Sequence, residues 1–210
     1  MDIKKDRILE TVKDLLKLKG KRKFTQSVEL IINFRGIDFN KPENRLNLTV
    51  KLPKGRGKEN KIAVFGDEQL IHEAKKLGIE YVFNIAELNN VDKNLIKKLC
   101  KDHVFLAQPK AMGLVAKQFG KILGPRGKIP TPIMGSLEEN IKKMKDIIKL
   151  QNKGKYLPVL QTLVGIESMK PEELVENIMA VLEEITKKIP SGNIKNIYVK
   201  LTMSKPLKIR

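Results

Sequence analysis

The pattern of apolar residues changes twice along this chain, and those two changes restrict what it can fold into. Near the start, Val28, Leu30, Ile32 and Phe34 alternate with Ser27, Glu29, Ile31 and Asn33. Leu46, Leu48, Val50 and Leu52 then alternate with Arg45, Asn47, Thr49 and Lys51. A period of two sends successive side chains to opposite faces, so both stretches predict strands with one buried face and one mostly polar face. From residue 61 the grammar switches: "KIAVF" (61–65), "EYVFN" (80–84) and "HVFLA" (103–107) are short apolar runs. Each is followed by a helical pattern, over about 67–77, 92–101 and 109–121, which is how a parallel α/β sheet is written in sequence. A further helix is expected from Leu137 to Leu150, with Ile141, Met144, Ile147 and Ile148 on one side. The first grammar then returns, with "KYLPVLQTLVGI" strand-like and "NIKNIYVKLTMS" placing Ile197, Val199 and Leu201 inward.

Each end also carries one helix. Ile3, Ile8, Leu9, Val12, Leu15 and Leu16 recur at helical spacing, ending near Gly20 before the basic run Lys21-Arg22-Lys23. Pro171 starts a long helix with Leu174, Ile178, Val181, Leu182 and Ile185 inward. The ends, 1–60 and 152–210, therefore read as halves of one discontinuous α+β domain, with a 61–151 α/β domain inserted between them. Chain crossings near 57–61 and 151–155 tether the insert and would act as a hinge.

The 210 residues carry a net charge of +18, from 42 Lys and Arg against 24 Asp and Glu. The excess is +8 over 1–60 (16 against 8), +7 over 61–154 (17 against 10) and +3 over 155–210 (9 against 6). A field of this sign spread over both domains favours a polyanion such as nucleic acid that touches or passes near both. No run of about 18 apolar residues exists and no apolar signal core opens the chain, so neither a membrane nor export is expected. The single Cys100 cannot form an internal disulfide; it suits a reducing cytoplasm and reads as a buried structural thiol.

Little in the chain points to catalysis. A Walker A loop requires glycine five residues before its Gly-Lys pair, but Ile122 precedes Gly127 and Leu52 precedes Gly57 at that distance. "GDEQL" follows the first α/β strand where a dinucleotide fold would carry its glycines; Asp67 and Glu68 suit a helix cap and first turn and would repel a pyrophosphate. His72 and His103 have no cysteine or carboxylate at metal-ligand spacing, so no metal and no cofactor is expected. Glu138-Glu139 and Glu172-Glu173 open helices, where they favour the dipole. Met112, Met134, Met144 and Met179 read as core filler. Aromatic residues make up 5%, with no Lys/Arg-Gly-Phe stacking pattern, so RNA would be read through shape, 2′-hydroxyls and phosphates.

One stretch combines constraint with charge. In Gly124-Pro125-Arg126-Gly127 the proline presets a turn and the glycine completes it, holding Arg126 at a tip flanked by Lys121 and Lys128. The prolines after Ile129 and Thr131 drive those residues extended. A phosphate contact and an ordinary basic loop are both compatible with this pattern.

"ILGPRGKIPTP" resembles the signature of the large-subunit ribosomal protein L-one family. "FTQSVEL", "DFNKPENRL", "LPKGRGKENKIAVFG", "TLVGIESM" and "YVKLTMS" follow the family order over nearly the whole chain, and "KPENR" and "GRGKE" look archaeal in type. The resemblance implies a discontinuous α+β sandwich domain with a Rossmann-like insert on a hinge. It implies no catalysis, and a cytoplasmic protein of the large ribosomal subunit, monomeric off the ribosome. That protein would bind large-subunit rRNA in the mobile stalk near the tRNA exit site and assist release of deacylated tRNA. The same surface would bind a mimic in its own mRNA and repress translation.

Carried over by position, the RNA face includes Phe24, Thr25, Ser27 and Glu29 from the first strand, Gly165, Glu167, Ser168 and Met169 from the "GIESM" loop, and Lys200, Thr202, Met203 and Ser204 from the last strand. Lys121, Gly124, Arg126, Gly127 and Lys128 form a second candidate contact with RNA or tRNA. Alternation puts Ser27, Glu29, Lys200 and Thr202 on the face away from the core, where they could meet 2′-hydroxyls. The family pattern ends Thr-Met-Gly where this chain has Thr202-Met203-Ser204, which trades close backbone approach for a hydroxyl. Charge alone also allows a non-ribosomal RNA or DNA binder, and the parallel sheet a Rossmann-type nucleotide enzyme, which the missing phosphate loop disfavours.

Overall fold

A computed structural model describes residues 5–20, 22–152 and 157–209; Ile3, Lys21 and residues 153–156, where the second crossing is expected, lie outside them. In chain order the elements begin α1 (Lys5–Leu16), β1 (Ser27–Phe34), β2 (Asn47–Lys51), β3 (Lys61–Gly66), α2 (Glu68–Lys76), β4 (Tyr81–Asn84), α3 (Lys93–Leu99) and β5 (His103–Ala107). They continue α4 (Pro109–Leu123), β6 (Thr131–Pro132), α5 (Leu137–Lys145), β7 (Ile147–Gln151), β8 (Val159–Ile166), α6 (Pro171–Lys188), β9 (Ile194–Leu201) and β10 (Leu207–Lys208). They form two compact units: residues 1–59 with 146–210, and residues 60–145.

The terminal unit is built on an antiparallel sheet ordered β10-β9-β1-β8, which joins strands from both ends of the chain. One face carries Val28, Leu30, Ile32, Leu160, Val164, Ile197, Val199 and Leu201, all buried. Against it lie α1, through Ile8, Val12 and Leu15, and α6, through Leu174, Ile178, Val181 and Ile185. Each such side chain taken from water contributes about 1.5–3 kcal/mol, which is why sequence-distant segments meet here. Helix α6 starts at Pro171, and the Glu173 carboxylate accepts from the Lys170 amide at 3.0 Å, satisfying a donor no helical carbonyl can reach.

The expected helix from Leu137 to Leu150 is corrected by the structure. Helix α5 stops at Lys145, and β7 pairs antiparallel with β2, Leu48 opposite Leu150 and Lys51 opposite Ile147. Ile147 and Ile148 fit a helical stripe, but Ile148 and Leu150 are buried and Lys149 is exposed, the period of a strand. The inserted unit therefore ends at Lys145 instead of residue 151. The chain leaves and regains the terminal unit at neighbouring points, where the Leu52 amide donates to the Asp146 carbonyl at 3.2 Å.

The inserted unit has a parallel sheet ordered β4-β3-β5-β6. One face packs Phe65, Phe105 and Ala107 against Ile96, Val115 and Phe119 of α3 and α4; the other packs Ile62, Val64 and Leu106 with Ala74, Leu137 and Ile141 of α2 and α5. Phe65 lies at the centre, with ring centroids 5.0 Å from Phe83, 5.8 Å from Phe105 and 6.2 Å from Phe119. Strand β6 is the Thr-Pro end of the "IPTP" segment, placed at the sheet edge where its proline costs no ladder hydrogen bond. Met112, Met144 and Met179 pack against the cores, whereas Met134 is 77% exposed, a correction to its reading as filler: it follows the edge strand, where nothing covers it. No described helix is long and apolar enough to cross a membrane.

Candidate nucleic-acid interface

Among the described residues, helices cover only one side of the terminal sheet. On its other side β1 presents Ser27, Glu29, Ile31 and Asn33, all half-buried, flanked in register by Tyr198 and Lys200 of β9 and by Gln161 and Leu163 of β8. Glu29 stands between Lys200 and Leu163, and its carboxylate accepts from the Gln161 side-chain amide. Ile31 stands between Tyr198 and Gln161. The result is an open face of hydrogen-bonding groups around a small apolar centre.

At one end of this face three chain segments converge. Phe24 and Thr25 precede β1, both exposed, with Phe24 at 52%. Thr202, Met203 and Ser204 form the turn after β9, and residues 167–169 leave β8 toward α6. Phe24, Thr25 and residues 202–204 thus lie just outside the strands to which the sequence assigned them, while residues 167–169 lie in a loop as expected. The Thr202 hydroxyl oxygen accepts from the Ser27 amide at 3.1 Å, and the Thr202 amide donates to the Ser27 carbonyl at 3.1 Å. That hydroxyl is committed to the fold rather than presented outward. The Ser204 hydroxyl accepts from the Leu201 amide at 2.9 Å, closing the turn, and Lys200 Nζ donates to the Thr202 carbonyl at 3.1 Å.

The residue that joins the three segments is Gln26, which the sequence reading passed over. Only 2% exposed, it accepts at Oε1 from the Met203 amide (3.1 Å) and donates from Nε2 to the Glu167 carboxylate (3.1 Å). Its own carbonyl accepts from the Glu167 amide at 2.9 Å. Glu167 is itself buried, so it braces the site and does not face solvent; Ser168 and Met203 are exposed. A signal existed: Gln26 shares the inward parity of Val28 and Leu30, and a polar side chain on a core-facing register needs partners. Gly165 leaves room for its neighbours: a Cβ there would lie 2.5 Å from Leu174 Cδ2 and 2.8 Å from Met169 Sδ, so a larger residue would have to displace those side chains.

The glycine-proline turn has a different geometry from a free tip. Gly127 has φ +63°, its amide donates to the Gly124 carbonyl at 2.9 Å, and the Lys128 amide donates to the Leu123 carbonyl at 3.0 Å. These paired bonds form a Schellman motif, with glycine in the left-handed position that ends α4. Arg126 Nη1 donates to the Ile122 carbonyl at 2.9 Å, and Lys128 Nζ to the His103 carbonyl at 3.0 Å. Both cations thus serve carbonyls that the helix and strand leave open, while Lys121 is exposed on α4. Cys100 lies nearby, and burial pushes its thiol pKa up against the opposing pull of Arg126 and Lys128.

Strand order in the inserted sheet reverses between β3 and β5, the place where doubly wound folds bind nucleotides. Here Asp67 and Gln108 fill it. The Asp67 amide donates to Gln108 Oε1 at 3.1 Å, Gln108 Nε2 donates to Asp67 Oδ2 at 2.8 Å, and Asp67 Oδ1 caps α2 through the Leu70 amide at 3.0 Å. Those bonds hold the Asp67 carboxyl below its ordinary pKa, keeping a negative charge where a phosphate would need donors. Among the described residues no group of three or more His, Cys, Asp or Glu could hold a metal ion.

Residues 15–205 match the model of the ribosomal protein L1p/L10e family. The chain belongs to that family. It is 41% identical over 209 residues to the large ribosomal subunit protein uL1 of Methanothermobacter thermautotrophicus, covering 96% of this chain and 98% of that one. It is also 41% identical over 212 residues to the protein of the same name from Methanothermococcus thermolithotrophicus (98% of each chain), and 40% identical over 213 residues to that of Methanocaldococcus jannaschii (98% and 96%). Membership accounts for the shared α/β two-unit architecture.

Proposed function

We propose that this protein is a non-catalytic constituent of the large ribosomal subunit and that the terminal unit binds large-subunit rRNA. The binding surface consists of the open sheet face with its rim: Phe24, Thr25, Ser27, Glu29, Ser168, Lys200 and Met203 outward, braced by Gly165, Glu167, Met169, Thr202 and Ser204. The observation that carries this reading is the uncovered polar face beside the three-segment junction, in a chain of net charge +18 that belongs to this family. A carboxylate such as Glu29 on the open face of a chain of net charge +18 favours hydroxyl or amino contacts over phosphates, which suits RNA more than DNA. In this reading the protein forms part of the mobile stalk near the tRNA exit site and assists release of deacylated tRNA. The same surface binds a similar fold in its own mRNA and represses translation.

Lys121 and Arg126 are proposed as a second contact, with RNA or tRNA, supported by their exposure at the end of α4. The test is binding to purified large-subunit rRNA at moderate salt, with unrelated duplex RNA as competitor. Affinity that survives the competitor is expected; equal loss to any duplex would reduce the protein to a generic polycation. Arg126→Ala is expected to leave binding to the isolated rRNA unchanged and to weaken tRNA contact in whole ribosomes.

A further inference from the structure

Of the hydrogen bonds among the described residues that join the three segments proposed to meet rRNA, Gln26 makes three, two of them through its side chain, and Ser27 with Thr202 makes the others. Its side-chain amide is read in one sense only: the Met203 N–H requires an acceptor, and the Glu167 carboxylate requires a donor. A glutamine supplies both from one planar group, which neither a hydrocarbon nor a carboxylate can do. Gln26 is too buried to touch a ligand itself, yet the side chains around it, Phe24, Ser168 and Met203, are exposed. An unpartnered carboxylate at Glu167 could regain water only by leaving the junction, which would carry Ser168 away from Met203.

We infer that Gln26 is the positioning residue of the rRNA surface, a buried amide that sets the spacing between the start of β1, the loop after β8 and the turn after β9. The inference rests on the proposed function, and it specifies a chemical requirement: one donor and one acceptor at position 26. In Gln26→Glu two carboxylates face one another across a hydrogen-bond distance, so the pair takes up a proton at a pH well above the usual carboxylate range. Once protonated, the new side chain donates its O–H to Glu167 and accepts from Met203, which restores the wild-type pattern. Gln26→Leu is apolar and one methylene shorter, and can do neither at any pH.

The experiment measures binding of the full chain to large-subunit rRNA purified from Methanothermobacter thermautotrophicus ribosomes, between pH 5 and 8, with circular dichroism confirming the fold of each variant. Hydrogen exchange at the Met203 and Glu167 amides is followed in the same samples without RNA. Gln26→Leu is expected to bind about 10- to 100-fold more weakly at every pH and to exchange the Met203 amide faster. Gln26→Glu is expected to match it at pH 8 and to recover toward wild type as the pH falls, in affinity and in protection together. Wild-type affinity in both variants, or equal loss at all pH values in Gln26→Glu, would overturn the inference. Failure of the wild-type protein itself to bind would refute the functional reading instead, while exchange at Met203 would still decide whether Gln26 holds the junction.

Discussion

Two four-stranded sheets in this chain are used in opposite ways. The parallel sheet of the inserted unit is covered on both faces by helices, and its strands read as continuous apolar runs. The antiparallel sheet of the terminal unit carries helices on one face only among the described residues, and its strands alternate. A parallel sheet needs crossover helices, which close both of its faces, whereas an antiparallel sheet can keep one face in water. A large polar ligand can therefore lie across the terminal sheet, while the inserted unit can offer only helix surfaces and loop ends. Even its strand-order crevice is taken by Asp67 and Gln108.

The largest expected effect tests whether the two cores are separate. Phe65→Ala empties the centre of the inserted unit and should cost it about 3–5 kcal/mol, seen as an early transition in a thermal melt. Affinity for isolated rRNA should persist at 25 °C; a matching loss of affinity would break the distinction between a binding sheet and a buried one. Thr202→Val keeps the shape but strips the Ser27 amide of its acceptor, and should destabilise the terminal unit by about 1–3 kcal/mol, leaving the first transition of the Phe65 variant where it was.

Ser204→Gly removes the hydroxyl that closes the turn after β9, and denaturant titration should show a loss of about 0.5–1.5 kcal/mol. If rRNA affinity rises in spite of that loss, the serine obstructs close approach. Lys200→Ala should lower the slope of log affinity against log salt by about 1, while Lys110→Ala, exposed on α4, should leave that slope unchanged on isolated rRNA. The smallest effect is in pH. Burial, with Lys61 nearby, holds the His103 imidazole below its ordinary pKa of 6.5, so the unfolded chain takes up a proton before the folded one. Stability of the inserted unit should be full above pH 6.5 and decline as the pH falls below it, and His103→Phe should flatten that decline in melts between pH 7.5 and 5.

Much of the fold was legible because each element carried its own period. The inward set of β1, the core stripe of α6 and the Asp67 cap needed only local rules. The stretch 137–150 was not legible, because Ile141, Met144, Ile147 and Ile148 satisfy a helix as well as they satisfy a helix followed by a strand. Pairing of β7 with β2, about a hundred positions earlier, decided between them. At the candidate interface, family order brought Phe24, Glu29 and Thr202 to attention, but their roles differ in the structure. Glu29 faces outward with Gln161, whereas the Thr202 hydroxyl and Glu167 turn inward to hold the junction.

By itself the sequence determined where side chains lie relative to their own backbone, because residue parity and helical pitch are properties of a single segment. It also determined the sign of the charge and the lack of a phosphate loop. Which segments become neighbours was settled only by tertiary packing. The meeting of residues 26, 167 and 203 depends on antiparallel registers between strands from opposite ends of the chain. The bond from Lys128 Nζ to the His103 carbonyl, 25 positions away, is likewise tertiary, whereas the Schellman end of α4 that carries it is made by local bonds. Hydrogen bonds over such separations leave no periodicity to read; a lone polar residue on an inward position, as at Gln26, is the trace they leave.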